Sequence, residues 1–150
     1  MRETGRMADL VERLLRLWTQ PVDGHPDPKA VFGQVYADPV IVNGVPMTLA
    51  ELTDRARSLQ RAFDGLSMTI LDQIETANRI VLAFMMHGCQ TGTYVSPLGE
   101  VSPTGRQVRV RTIDVLTIQD GLISAIWVAS DELGLLSQLN AATLTDQSRP

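Results

Sequence analysis

A chain of 150 residues is the size of one domain, and 44% hydrophobic with 20% charged residues is the balance of a chain that buries a core. A net charge of −4 offers no electrostatic footprint for nucleic acid, and the single Cys89 excludes an intrachain disulfide. With only His25 and His87 beside that thiol, neither a structural zinc site nor a metal cofactor is expected. No apolar run reaches the ~18–20 residues that a membrane span needs. The first residues mix acids and bases through their apolar stretch, unlike a signal peptide, so a cytoplasmic protein is expected.

In chain order, residues 7–19 place Leu10, Val11, Leu14, Leu15, Leu17 and Trp18 at helical spacing, and Pro21 stops that helix. Residues 22–28 read as loop, Lys29–Tyr36 as a short second helix and Pro39–Asn43 as a short strand, with Asn43-Gly44 as its turn. Thr48 with Glu51 forms a capping box, opening a helix with Leu52, Ala56, Leu59 and Phe63 on one stripe and Gly65 at its end. Strands are expected over 68–75, 79–91, 107–118 and 122–130, with tight turns at Ala77-Asn78 and Asp120-Gly121. Pro97, Gly99, Pro103 and Gly105 mark one long connection, residues 133–139 a closing helix, and 143–150 a disordered polar tail after a single domain of 1–142.

Helices first and strands afterwards indicate an α+β fold, a curved antiparallel sheet wrapped around N-terminal helices. Strands this long must coil, and a coiled sheet over helices encloses a central pocket.

Alternation along each strand assigns the pocket-facing residues. Val108, Val110, Thr112, Asp114, Leu116 and Ile118 form the more apolar row of their strand, which isolates Asp114 among hydrophobic neighbours, a costly place for an unpaired carboxylate. The next strand, read with strict alternation, carries Trp127 and then Asp131 inward. Asp131 has two open roles there, N-cap of the closing helix or site residue. On residues 79–91, Phe84 and Met86 lie in one row with Gln90, a candidate hydrogen-bond donor into the pocket. His87 lies in the other row, open to two roles: a general base with a near-neutral pKa, or a residue packed on the opposite face or at a subunit interface. Tyr36 joins the expected substrate-binding set. Arg109, Ile113 and Val115 present mixed apolar surface on the outer face, so a homodimer through that face is expected.

No phosphate-binding loop, dinucleotide fingerprint or nucleophile elbow occurs. From about Phe32 to Leu139, however, the chain resembles the SnoaL-like polyketide cyclases of the nuclear-transport-factor-2-like superfamily. The residues carrying this are Ser102-Pro103-Thr104-Gly105-Arg106, then Ile118-Gln119-Asp120-Gly121-Leu122-Ile123, Trp127, Asp131, and Gly134-Leu135-Leu136-Ser137-Gln138-Leu139. The resemblance implies a cone-shaped fold and ring closure of a polyketide-type small molecule without metal or cofactor. It further implies an essential acid/base carboxylate at Asp131, a polar pocket residue at Asn43, and Gln90 where the family often has histidine. A shorter likeness of residues 113–118 to steroid Δ-isomerases implies an oxyanion-hole role for Asp114. Limonene-epoxide hydrolases share the fold, and their Asp–Arg–Asp arrangement makes Asp114 and Asp131 candidate acids. The alternative to an enzyme is a small-molecule binding module.

Overall fold

The computed structural model describes residues 2–145. Helix α1, Arg2–Thr19, buries Leu10, Val11, Leu14 and Leu17, and ends just before Pro21. A 3-10 turn at Val22–Gly24 leads to α2, Pro28–Phe32, capped by Asp27, whose carboxylate accepts from Ala30 N–H. This second helix is shorter than expected because Tyr36 already belongs to a strand, β1, Tyr36–Val42. A three-residue strand β2, Val45–Met47, folds back on β1 through Asn43-Gly44, both with positive φ.

Helix α3, Leu49–Ala62, opens on the expected capping box, with both reciprocal Thr48–Glu51 bonds formed. It ends sooner than its apolar stripe suggests. Phe63 donates its N–H to Leu59 but is itself extended, starts β3 (Phe63–Glu75), and packs its ring 5.5 Å from that of Tyr94. Gly65, expected as the helix terminator, instead lies within β3 at φ +63, where the strand's register is interrupted.

Strand β4 is Arg79–Gln90, and the long connection that follows contains an unforeseen hairpin of β5 (Tyr94–Ser96) and β6 (Gly99–Val101). Strands β7, Gln107–Gln119, and β8, Leu122–Ser130, precede α4, Glu132–Gln138. Residues 141–145 have no regular structure, and the rest of the expected tail lies outside the described residues.

The fold is α+β: a curved six-stranded sheet in the order β2-β1-β8-β7-β4-β3, with the helices on its concave side. It is mixed rather than wholly antiparallel, because β1 runs parallel to β8. That pairing joins distant parts of the chain, and hydrophobic alternation carries no information about a strand's partner.

One irregularity decides which residues face the core. Thr117 pairs with Ala125, but Ile118 pairs with Ile123, so Ser124 is an extra residue in β8. A bulge of this kind reverses the parity of everything beyond it. Ile123 is buried, and after the bulge Ile126, Val128 and Ser130 face inward while Trp127 turns out, 61% exposed. The strictly alternating reading of β8, which put Trp127 and Asp131 inside, is corrected by this single residue.

Candidate active site

Between the concave face of the sheet, α1 and α3 lies a cavity of about 220 Å³. Its walls are apolar: Leu14 from α1, Leu52 from α3, Phe84 and Met86 from β4, Val110 and Leu116 from β7. The polar groups reaching it are few, the arrangement of a site that binds an apolar molecule and orients it.

Asp114 is the central one. In register it sits between Leu82 of β4 and Val128 of β8, and along its own strand it follows Thr112 on the same face. Its Oδ1 is shielded from solvent and has no hydrogen-bond partner among the described residues. Burial pushes its pKa up from 3.8 to about 7, so protonated and ionised forms are both populated near neutrality.

Tyr36 also lines the cavity and is buried, its phenol held by Trp18, whose indole Nε1 donates to the Tyr36 hydroxyl at 2.8 Å. Burial raises the Tyr36 pKa, the Trp18 bond lowers it, and the nearby charge of Asp114 raises it further. The phenol is therefore a neutral donor. Its oxygen accepts from Trp18, and no acceptor among the described residues takes its proton.

Toward the solvent end lie Arg55 of α3, Tyr94 of β5, Ser130 of β8 and Glu132 of α4. The Tyr94 hydroxyl donates to the Glu132 carboxylate, and burial followed by that bond raises the Tyr94 pKa. The Thr112 and Ser130 hydroxyls form a cross-strand pair at 3.0 Å.

Of the sequence-derived candidates, the fold brings Asp114, Tyr36, Phe84 and Met86 to one cavity. It places the others elsewhere. Asp131 is exposed and caps α4, its Oδ1 accepting from Gly134 N–H at 2.9 Å; a Cβ on Gly134 would meet that carboxylate at 2.2 Å. Trp127 lies on the outer face for the reason given above.

Gln90 is fully buried but knotted into the backbone. Its Nε2 donates to the carbonyls of Gly92, Val101 and Ser102, and its Oε1 accepts from the N–H and hydroxyl of Thr104. No polar atom is left for a ligand. His87 lies on the face of β4 away from the cavity, 3.3 Å from Thr69 Oγ1. Asn43 is exposed and ties β1 to β8 through the N–H and C=O of Val128.

Several cavity residues were not foreseen, among them Arg55, Trp18, Tyr94 and Glu132. Arg55 has a visible signal, since it interrupts the Leu52–Leu59 stripe at helical spacing, and Trp18 lies four residues beyond Leu14. Tyr94 and Glu132 carry no periodic signal, because each reaches the cavity from a connection or helix start. Among the described residues no three His, Cys, Asp or Glu side chains gather as a metal site, and no helix is long and apolar enough to cross a membrane.

A family model described as SnoaL-like polyketide cyclase matches residues 10–139. Solved structures agree in fold. TsrD from Streptomyces laurentii aligns with a TM-score of 0.77 at 22% identity over 92% of this chain and 97% of its own. AclR from Streptomyces galilaeus gives 0.74 at 16% identity over 97% and 91%, and a SnoaL-like polyketide cyclase from Agrobacterium tumefaciens gives 0.71 at 16% over 88% and 96%. At such identities these likenesses speak for the fold alone. No curated protein matches the chain in sequence.

Proposed function

Since the chain belongs to the SnoaL-like polyketide cyclase family, we propose that it is a cofactor-independent, cytoplasmic cyclase or isomerase of an apolar polyketide-type molecule, with Asp114 as its acid/base group. The observation carrying this reading is a single unpartnered carboxyl in an apolar cavity, with a pKa of about 7. A general base works best when its pKa lies near the working pH.

The steps balance without an outside reagent. Ionised Asp114 takes a proton from a carbon next to a carbonyl, and the C–H electron pair moves to the carbonyl oxygen. Tyr36, held by Trp18, donates a hydrogen bond to the developing enolate. The enolate carbon then bonds to a second carbonyl carbon of the same molecule, and the new alkoxide recovers the proton from Asp114. Returning the proton to a different carbon instead gives isomerisation. The sequence-derived base, Asp131, has no part in this scheme because it faces solvent. An Asp–Arg–Asp epoxide-opening site loses its second acid for the same reason.

The test needs only a small apolar ketone. Exchange of the α-protons of 1-tetralone in D₂O, followed by NMR and corrected for buffer, is expected to accelerate with protein through one ionisation near pH 7. A rate equal to buffer, or one independent of pH between 5 and 9, would sink the reading.

The proposal includes a homodimer through the outer sheet face. In register across four strands, Trp127, Val115, Val81 and Ile74 form one apolar row, with Ile113 beside it; Trp127, Ile113 and Ile74 are 61%, 46% and 55% exposed. Replacing a central anchor of such a patch typically costs about 2–4 kcal/mol of association. Ile113→Arg is therefore expected to convert a dimer to monomer in sedimentation at micromolar concentration. A wild-type monomer there removes this part of the proposal.

A further inference from the structure

Of the polar cavity groups that the acid/base reading leaves unused, Tyr94 and Glu132 hold each other, as do Thr112 and Ser130, whereas Arg55 has no partner among the described residues. On α3, Leu52, Arg55 and Leu59 lie on the stripe facing the cavity, and among the described residues Arg55 is the sole basic one in its lining. It is exposed, so it stands where the cavity opens to solvent. Two residues on, Arg57 is engaged by Asp23 at 2.9 Å and Asp54 at 2.6 Å. Arg55 has neither an ion pair nor a hydrogen bond among the described residues. Other arginines of the surface are unpaired too; Arg55 is set apart by its place in the cavity wall.

The charges around it sharpen the point. Two acids line the same cavity. Glu132 already accepts the Tyr94 hydroxyl, and Asp114 lies deeper, one pleat beyond Thr112, about 7 Å along β7. The Thr112–Ser130 hydroxyl pair stands on the rung toward the opening and offers further donors. An uncommitted guanidinium at the mouth of an apolar cavity presents a planar fork of donors, the geometry that fits a carboxylate.

We infer that the substrate is an amphipathic carboxylate: its apolar body fills the cavity, its carboxylate is held by Arg55 at the mouth, and its enolisable carbon is thereby delivered to Asp114. The inference rests on the acid/base reading only for what happens at the deep end. Arg55 is then a specificity residue, and it sets the direction in which the molecule enters.

The test is binding, measured by titration calorimetry with 2-naphthoate and its neutral counterpart 2-naphthamide. Charge-assisted hydrogen bonds lead to an expected preference of about tenfold or more for the carboxylate in the wild-type protein. Arg55→Gln is expected to abolish the preference while leaving naphthamide affinity within about twofold, since only a uniform apolar contribution remains. Arg55→Lys, which keeps the charge but not the fork, is expected to retain part of it. The inference is overturned by a wild type that shows no preference, binding of neither probe included, or by an Arg55→Gln variant that keeps it. Asp114→Asn serves to tell the two readings apart. It should lose proton exchange and keep the carboxylate preference: exchange that persists in this variant overturns the acid/base reading alone, and a preference that is absent from the wild type or survives Arg55→Gln overturns the Arg55 inference alone.

Discussion

Asp114→Asn is expected to lower the protein-catalysed α-proton exchange by about 10²–10⁴-fold, the contribution typical of a positioned acid/base group. The amide keeps the carboxyl's shape but can neither take nor return a proton. The same position makes an independent claim on stability, with a sign opposite to that of most carboxylates. The folded pKa of about 7 lies above the ordinary 3.8, so the native state binds this proton more tightly than the unfolded chain. Stability from this group is therefore complete below about pH 4, falls as pH rises toward 7, and is then constant at its lower level. The full linkage would be about 4 kcal/mol, reduced to roughly 1–3 kcal/mol because the side chain is half-buried and the cavity opens to water.

Asp114→Leu, which has no charge to bury, should thus melt higher than wild type at pH 8 and nearly together with it at pH 4. A variant that loses activity while gaining stability marks a residue kept for chemistry rather than for the fold. Asp131→Asn supplies the contrast, because asparagine caps a helix about as well as aspartate; both exchange rate and melting temperature should stay close to wild type. If Asp131→Asn abolished exchange and Asp114→Asn did not, the assignment of the acid/base group would be reversed.

Gln90→Ala is expected to destabilise the protein by about 2–4 kcal/mol, with a fall in Tm of roughly 5–15 °C, because it orphans polar groups held by one buried amide. Those groups span residues 92–104, the connection carrying the β5–β6 hairpin. The main chain of Gln90 closes the same loop, donating to Arg106 O and accepting from Gly105 N–H. Gly92 completes the knot: a Cβ there would come within 2.0 Å of the Arg61 carbonyl oxygen. Gln90→Glu should be no milder, since a carboxylate cannot donate to three carbonyls and would bury its charge. Thermal melts of both variants decide this; Tm values within about 2 °C of wild type would show that the loop holds without the amide.

In this chain, residues that carry the family resemblance make structural hydrogen bonds. Thr104 of the Pro103-Thr104-Gly105 run is a partner of Gln90. Asp131 and Gly134 form a cap. Gln138 both donates to and accepts from the backbone of Arg109, docking α4 on the stretch of β7 that β8 does not cover. Each position is demanded by a backbone group that must be paired, and so each leaves a recognisable motif. Asp114 lies outside these cyclase motifs, in the shorter stretch 113–118 that resembles the steroid Δ-isomerases. Besides that likeness, it was marked in the sequence by physical incongruity, a carboxylate in an apolar alternating row.

Local pattern was enough for the α+β class, for the capping box and the length of α3 to within a few residues, and for the long β4 and β7 strands with their inward rows, because amphipathic periodicity and turn chemistry are local properties of the chain. It also singled out Asp114, since strict alternation holds through β7. The remainder rests on contacts between distant parts of the chain. The parity of β8 depends on one extra residue, Ser124, whose insertion is visible only against its partner strand, and it turns Trp127 and Asp131 away from the cavity. The roles of Gln90 and Asn43 depend on backbone groups up to 85 residues away. The meeting of Tyr36, Trp18, Arg55 and Asp114 depends on how a curved sheet closes over two helices, a geometry set by long-range packing that no local pattern encodes.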